Sequence, residues 1–114
     1  MTEAPAIVVL TTLPTAAEAK AFVRRLVEQR VVACGTVLGD VTSIYRWQGA
    51  IEEAGETQVI LKTRQDRWDA LQAAVQASHP YDVPELLAVP VASGLGAYLE
   101  WVATETTADE GEDA

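Results

Sequence analysis

An imidazole, a phenol and two carboxylates fall within seven residues, His79-Pro80-Tyr81-Asp82-Val83-Pro84-Glu85, and His79 is the only histidine of the chain. Two prolines fix φ and remove backbone donors there, so the segment must be an ordered corner. Two roles are open to it. The imidazole could contact a metal or ligand through one nitrogen while a hydrogen bond orients the other. Alternatively, it could close the end of a helix by bonding the last carbonyls. One imidazole alone makes no tight metal site, so Asp82, Glu85 or groups from a neighbouring subunit would have to complete it.

Other residues could do chemistry elsewhere. Cys34 is the single cysteine, which excludes an intrachain disulfide, and its apolar neighbours predict a buried thiol. Arg46, Glu53, Lys62 and Arg64 could line a cleft between subunits that accepts an anionic small molecule. Tyr45 and Trp47 could stack a planar ligand, but aromatic pairs on a protruding hairpin suit an interface. Gly94-Leu95-Gly96 lacks the spacing of a phosphate loop. Nucleophilic catalysis would need Ser43 or Cys34 beside His79 and an oxyanion hole, and no nucleophile elbow is present. Glu52 and Glu53 alternate faces on a strand and cannot act together. The chain is therefore expected not to be an enzyme.

The elements that position these groups follow from pattern. Residues 7–11 form a β-branched run and read as a strand. Thr15-Ala16-Ala17-Glu18 is a capping box, and Ala19, Phe22, Val23, Leu26 and Val27 recur at helical spacing, so a helix is predicted to about Arg30. Residues 31–38 and 41–48 are strand-like, with Gly39-Asp40 predicting a bulge within one long strand. Gln48-Gly49 predicts a two-residue turn with Gly49 at positive φ, and the chain returns through 51–53 and 57–63. Thr63-Arg64-Gln65-Asp66 resembles a second capping box, opening a helix that Pro80 must stop near Ser78. Residues 85–91 are a last strand, and Tyr98, Leu99, Trp101 and Val102 predict a short terminal helix.

The order β-α-β-β-α-β is that of an α+β, ferredoxin-like fold, with two helices on one face of a four-stranded antiparallel sheet. A hairpin longer than about ten residues per strand outruns such helices and exposes Tyr45, Trp47 and Ile51 at its far end. Self-association through these residues is predicted.

Composition bounds the rest. A chain of 114 residues, 49% hydrophobic, suits one domain, placed at 1–103. Its net charge of −9 disfavours nucleic acid and anionic membranes as partners. Glu105, Asp109, Glu110, Glu112 and Asp113 account for five of those charges, leaving −4 elsewhere, and residues 104–114 are expected to form a disordered acidic tail. The N-terminus has no signal-peptide pattern, and the longest uncharged run, 86–99, is too short to span a bilayer, so a cytoplasmic location is expected.

Several blocks together resemble the CutA family of divalent-cation tolerance proteins. They are Ala33-Cys34, Val41-Thr42-Ser43-Ile44-Tyr45-Arg46-Trp47-Gln48-Gly49-Ala50-Ile51-Glu52-Glu53, Ile60-Leu61-Lys62-Thr63, the heptapeptide at His79, and Tyr98-Leu99-Glu100-Trp101. The resemblance covers roughly residues 6–103. It implies a ferredoxin-like subunit in a tight homotrimer similar to the PII signalling proteins, and an association with copper or another divalent cation. Some members carry a cysteine where Thr11 stands and a second histidine where Ser78 stands, so His79 is the metal-ligand type left at those positions. Many relatives read Ala-Cys-Val-Asn where this chain has Ala33-Cys34-Gly35-Thr36. The alternative function is a PII-like small-molecule sensor or assembly module, its intersubunit cleft drawn from Cys34, Arg46, Glu53, Lys62, Tyr81, Asp82 and Glu85.

Overall fold

The computed structural model describes residues 4–107. Strand β1 (Ala6–Leu13) leads to helix α1 (Ala16–Glu28), then to the long strands β2 (Cys34–Trp47) and β3 (Ala50–Arg64), helix α2 (Trp68–Ser78), strand β4 (Leu87–Pro90) and helix α3 (Gly96–Glu105). The sheet order is β2-β3-β1-β4 with every pair antiparallel, which is the expected split arrangement.

Alternation along the strands explains where the core sits. Ile7, Val9 and Leu13 of β1 and Val59 and Leu61 of β3 are buried against Phe22 and Leu26 of α1 and Leu71 and Val75 of α2. The residues between them face the other side of the sheet. There α3 covers one end, where Arg64 Nε donates to Thr106 Oγ1 at 3.0 Å. Thr106 is buried, and α3 and its cap hold residues 104–106, which were expected to belong to the disordered tail. Residues 108–114 lie outside the described residues.

The capping motifs had different fates. Thr15 caps α1 as expected, its Oγ1 accepting the Glu18 N–H at 3.2 Å. The helix stops before Arg30 with Arg30 at φ 60, and the Arg30 and Val31 N–H groups bond the Val27 and Leu26 carbonyls. This is a Schellman closure with arginine in the position glycine usually takes. Thr63 does not cap α2. It belongs to the buried row of β3 and donates to the Val31 carbonyl at 2.7 Å, while a single 3-10 turn, Gln65–Arg67, introduces the helix.

The hairpin is one continuous ladder from Cys34↔Lys62 to Trp47↔Ala50, with the predicted bulge as a register shift between Leu38 and Asp40. At its tip Gln48 (φ 51) and Gly49 (φ 86) both adopt the left-handed conformation of a two-residue hairpin turn. Partner strand β1 ends at Leu13↔Thr57, so beyond Thr57 the hairpin is a two-stranded arm. The arm stretches the longest dimension to 49 Å and the radius of gyration to 15.1 Å, against roughly 13 Å for a compact domain of this length.

Candidate functional site

Helix α2 delivers His79 to the free edge of β1. The His79 N–H bonds the Val75 carbonyl at 2.8 Å, closing the helix, and the residue then turns extended (φ −77, ψ 137) ahead of Pro80. Beyond Leu10, β1 has no β4 partner. The imidazole takes that place, with Nε2 2.9 Å from the Thr12 carbonyl oxygen and Nδ1 3.1 Å from the Tyr81 backbone nitrogen. A backbone N–H can only donate and a carbonyl only accept. Nδ1 is therefore the acceptor, and Nε2 carries the proton and donates to Thr12. The Phe22 ring packs edge-on at 5.4 Å and the Tyr81 ring lies at 5.0 Å. Burial pushes the imidazole below its ordinary 6.5, outweighing the Thr12 bond and the Glu56 and Glu18 carboxylates, which act upward.

The corner then reaches across to the arm. Tyr81 Oη donates to Glu56 Oε2 at 2.7 Å, and Thr12 Oγ1 donates to the same oxygen at 3.0 Å. Partial burial tends to raise the Glu56 carboxyl, but the hydroxyls of Ser43, Tyr81 and Thr12 together hold it below 4.5. The Tyr81 phenol is pushed up, first by burial and then by its bond to Glu56. Glu56 lies one residue past the last β1 partner, Thr57, so this cluster ties the root of the arm to both the corner and β1.

A second cluster sits at the other end of the same sheet face. Cys34 Sγ is 3.6 Å from Tyr98 Oη, Tyr98 stacks at 5.6 Å on Trp101, and Lys62, the cross-strand neighbour of Cys34, donates to Thr36 Oγ1. The Cys34 contact, then burial, pushes the Tyr98 phenol up to about 12. Cys34 is half-exposed, because its strand position turns it away from α1 and α2, and the expected buried thiol is corrected accordingly.

The residues expected to share one cleft are thus dispersed. Tyr81 joins Glu56, and Cys34 and Lys62 join Tyr98. Arg46 and Glu53 share the opposite face of the arm, while Asp82 and Glu85 point to solvent. Tyr45, Trp47 and Ile51 are exposed on the arm. Glu56 and Thr12 were not singled out from sequence, where Glu56 is one more acid in an acidic hairpin strand, and Ser43 was weighed only as a nucleophile. The one available signal was its place directly beyond the end of the β1 pairing.

The residues at the metal-associated positions do not fit a copper centre. Both His79 nitrogens are engaged, so a metal at either must break a hydrogen bond. Ser78 Oγ donates to the Ala74 carbonyl at 2.8 Å. Among the described residues no group of three His, Cys, Asp or Glu could hold a metal ion. Thr11 is fully buried and its Oγ1 has no hydrogen-bond partner. Thr11→Val removes an unpaired buried hydroxyl and is expected to raise stability by about 1 kcal/mol. A loss of stability in denaturant titration would mean that the hydroxyl has a partner.

Residues 7–105 match the family model described as CutA1 divalent ion tolerance protein. The divalent-cation tolerance protein CutA of Thermus thermophilus is 41% identical over 99 residues, covering 87% of this chain and 96% of the relative. Human protein CutA is 41% identical over 86% of this chain but 56% of its own length, and the chloroplastic protein CutA of Arabidopsis thaliana is likewise covered over 56%. The chain thus spans little more than half of these longer relatives. The solved Thermus thermophilus structure superposes with a TM-score of 0.87 at 40% identity, covering 90% of this chain and 99% of that one. CutA1 from Oryza sativa superposes with a TM-score of 0.90 at 35% identity, covering 96% and 100%.

Proposed function

The chain belongs to the CutA1 divalent ion tolerance family, and on that premise we propose that it works as a non-catalytic homotrimer in the response to divalent cations such as copper, without a resident metal centre. The observation that carries the assembly is the sheet face turned away from α1 and α2. Outside the end covered by α3 it is uncovered, with Leu38, Leu87 and Val89 exposed there, flanked by the exposed Tyr98 and Trp101 of α3 and continuous with Tyr45 and Trp47 on the arm. An apolar face of this extent on an isolated chain calls for a protein partner, and a closed ring of copies also satisfies the edges of β4 and the arm. Light scattering at micromolar concentration is expected to return about three times 12.2 kDa. A value near that of one chain overturns the trimer.

Any binding of copper is weak and independent of His79 in this reading, because the imidazole has no free nitrogen. Titration of copper(II) into wild type and His79→Ala is expected to give the same affinity. A tenfold or greater loss in the variant would make His79 a ligand after all.

A PII-like sensor of small molecules is the second reading. Glu56 favours it, as a carboxylate kept ionised by hydroxyls with no lysine or arginine contributing among the described residues. A ligand-dependent rise in melting temperature in metal-free buffer would select this reading. The cytoplasmic location belongs to the proposal. Among described residues no helix is long and apolar enough to cross a membrane, and relatives carry both chloroplastic and periplasmic names.

A further inference from the structure

We propose that the His79 corner is a proton-operated latch on the root of the hairpin arm, closed while the imidazole is neutral and released when it takes a second proton. Hydrogen-bond polarity carries the inference. In the closed state Nδ1 accepts the Tyr81 N–H at 3.1 Å and Nε2 donates to the Thr12 carbonyl at 2.9 Å, which uses the neutral ring completely. A second proton can go only to Nδ1. It turns the acceptor into a donor aimed at another donor, and two N–H groups cannot share that distance. The Tyr81 backbone must then withdraw, and its phenol, bonded to Glu56 at 2.7 Å, moves with it.

The groups facing the ring set the pH range. Glu56 from β3 and Glu18 from α1 favour the second proton. Phe22 from α1 and the Tyr81 ring enclose the imidazole and disfavour it, and β1 offers only the Thr12 carbonyl. Asp82 and Glu85 are exposed on the corner itself. Burial prevails, so the folded imidazole titrates below 6.5. The unfolded chain binds the proton first, and the contribution of the closed corner is therefore complete above pH 6.5 and is lost as the pH falls through the lower folded value. Within one chain, release leaves Glu56 hydrogen-bonded to the Thr12 and Ser43 hydroxyls, and the arm beyond Thr57 held by the β2–β3 ladder. The latch needs neither metal nor trimer, so it stands or falls separately from the proposed function.

His79 is the sole histidine, so the full-length protein gives one imidazole Cε1–H resonance per chain, which can be followed by NMR from pH 8 to 4.5 alongside the Tyr81 amide. The expected result is an imidazole midpoint below 6.5, with hydrogen-exchange protection at the Tyr81 amide falling at least tenfold at the same midpoint, after correction for intrinsic exchange. His79→Gln offers one acceptor and one donor that do not titrate, and should keep that protection across the range. Glu56→Gln should retain the loss and shift the imidazole midpoint lower. Protection that survives the imidazole titration, or that is lost equally in His79→Gln, overturns the latch. A loss that vanishes in Glu56→Gln places the switch on that carboxylate and overturns the assignment to His79.

Discussion

Val89→Asp is expected to reduce the particle from about three chains to one while leaving each chain folded. Val89 is 46% exposed in the isolated chain and lies opposite Val8 on the uncovered sheet face, in a strand only four residues long. A polar replacement at so exposed a position costs a monomer no more than roughly 0.5 kcal/mol. In an assembled trimer the same carboxylate is desolvated against apolar neighbours without a cation, which costs several kcal/mol per site. Three symmetry-related copies multiply the effect, and dissociation is the cheapest escape. Light scattering reads the mass and far-ultraviolet circular dichroism reads the fold. A folded variant that remains trimeric removes Val89 from the interface.

Leu61→Ala is expected to cost each chain about 3 to 5 kcal/mol. Leu61 is fully buried in β3, paired with Val9 on one side and Gly35 on the other. Truncation forfeits its transfer energy and leaves a cavity that a sheet with ladder bonds on both sides cannot collapse to fill. Gly35 reads the same packing from the opposite direction. A Cβ built there would stand 2.8 Å from Val23 Cγ1 and 2.9 Å from Leu61 Cδ2, so Gly35→Ala overpacks the site and is expected to cost about 1 to 3 kcal/mol. The double variant should lose less than the sum of the two, because the alanine at 61 vacates part of the space that the new methyl needs. Strict additivity in denaturant titrations would show that Leu61 is not what crowds Gly35.

The contrast between two capping motifs shows how far local pattern reaches. Thr15 and Thr63 head similar four-residue signals, yet only Thr15 caps a helix. Thr63 shares the parity of Val59 and Leu61, so its side chain points into the core, where the Val31 carbonyl needs a donor. Likewise the Gln48-Gly49 pair meets a local backbone requirement, and both the turn and the bulge beside Gly39 appear where they were expected. Cys34 illustrates the opposite case. Cys34 opens β2 on the face away from α1 and α2 while Ala33 before it is buried, leaving the thiol half-exposed beside Tyr98.

The element order, the long hairpin, the ordered corner at His79 and membership of the family are legible in the residues alone, because each is written in residues close together in the chain: period, proline, glycine and block order. What the corner does depends on contacts between distant residues. The partners of His79 and Tyr81 are Thr12 and Glu56, which lie 67 and 25 residues away along the chain, and sheet register alone brings them together. Hydrogen-bond polarity at those contacts then assigns the proton to Nε2 and engages both nitrogens, so that a metal at either must break a hydrogen bond. No spacing rule could have shown that, since it depends on which carbonyl and which amide stand beside the ring in space.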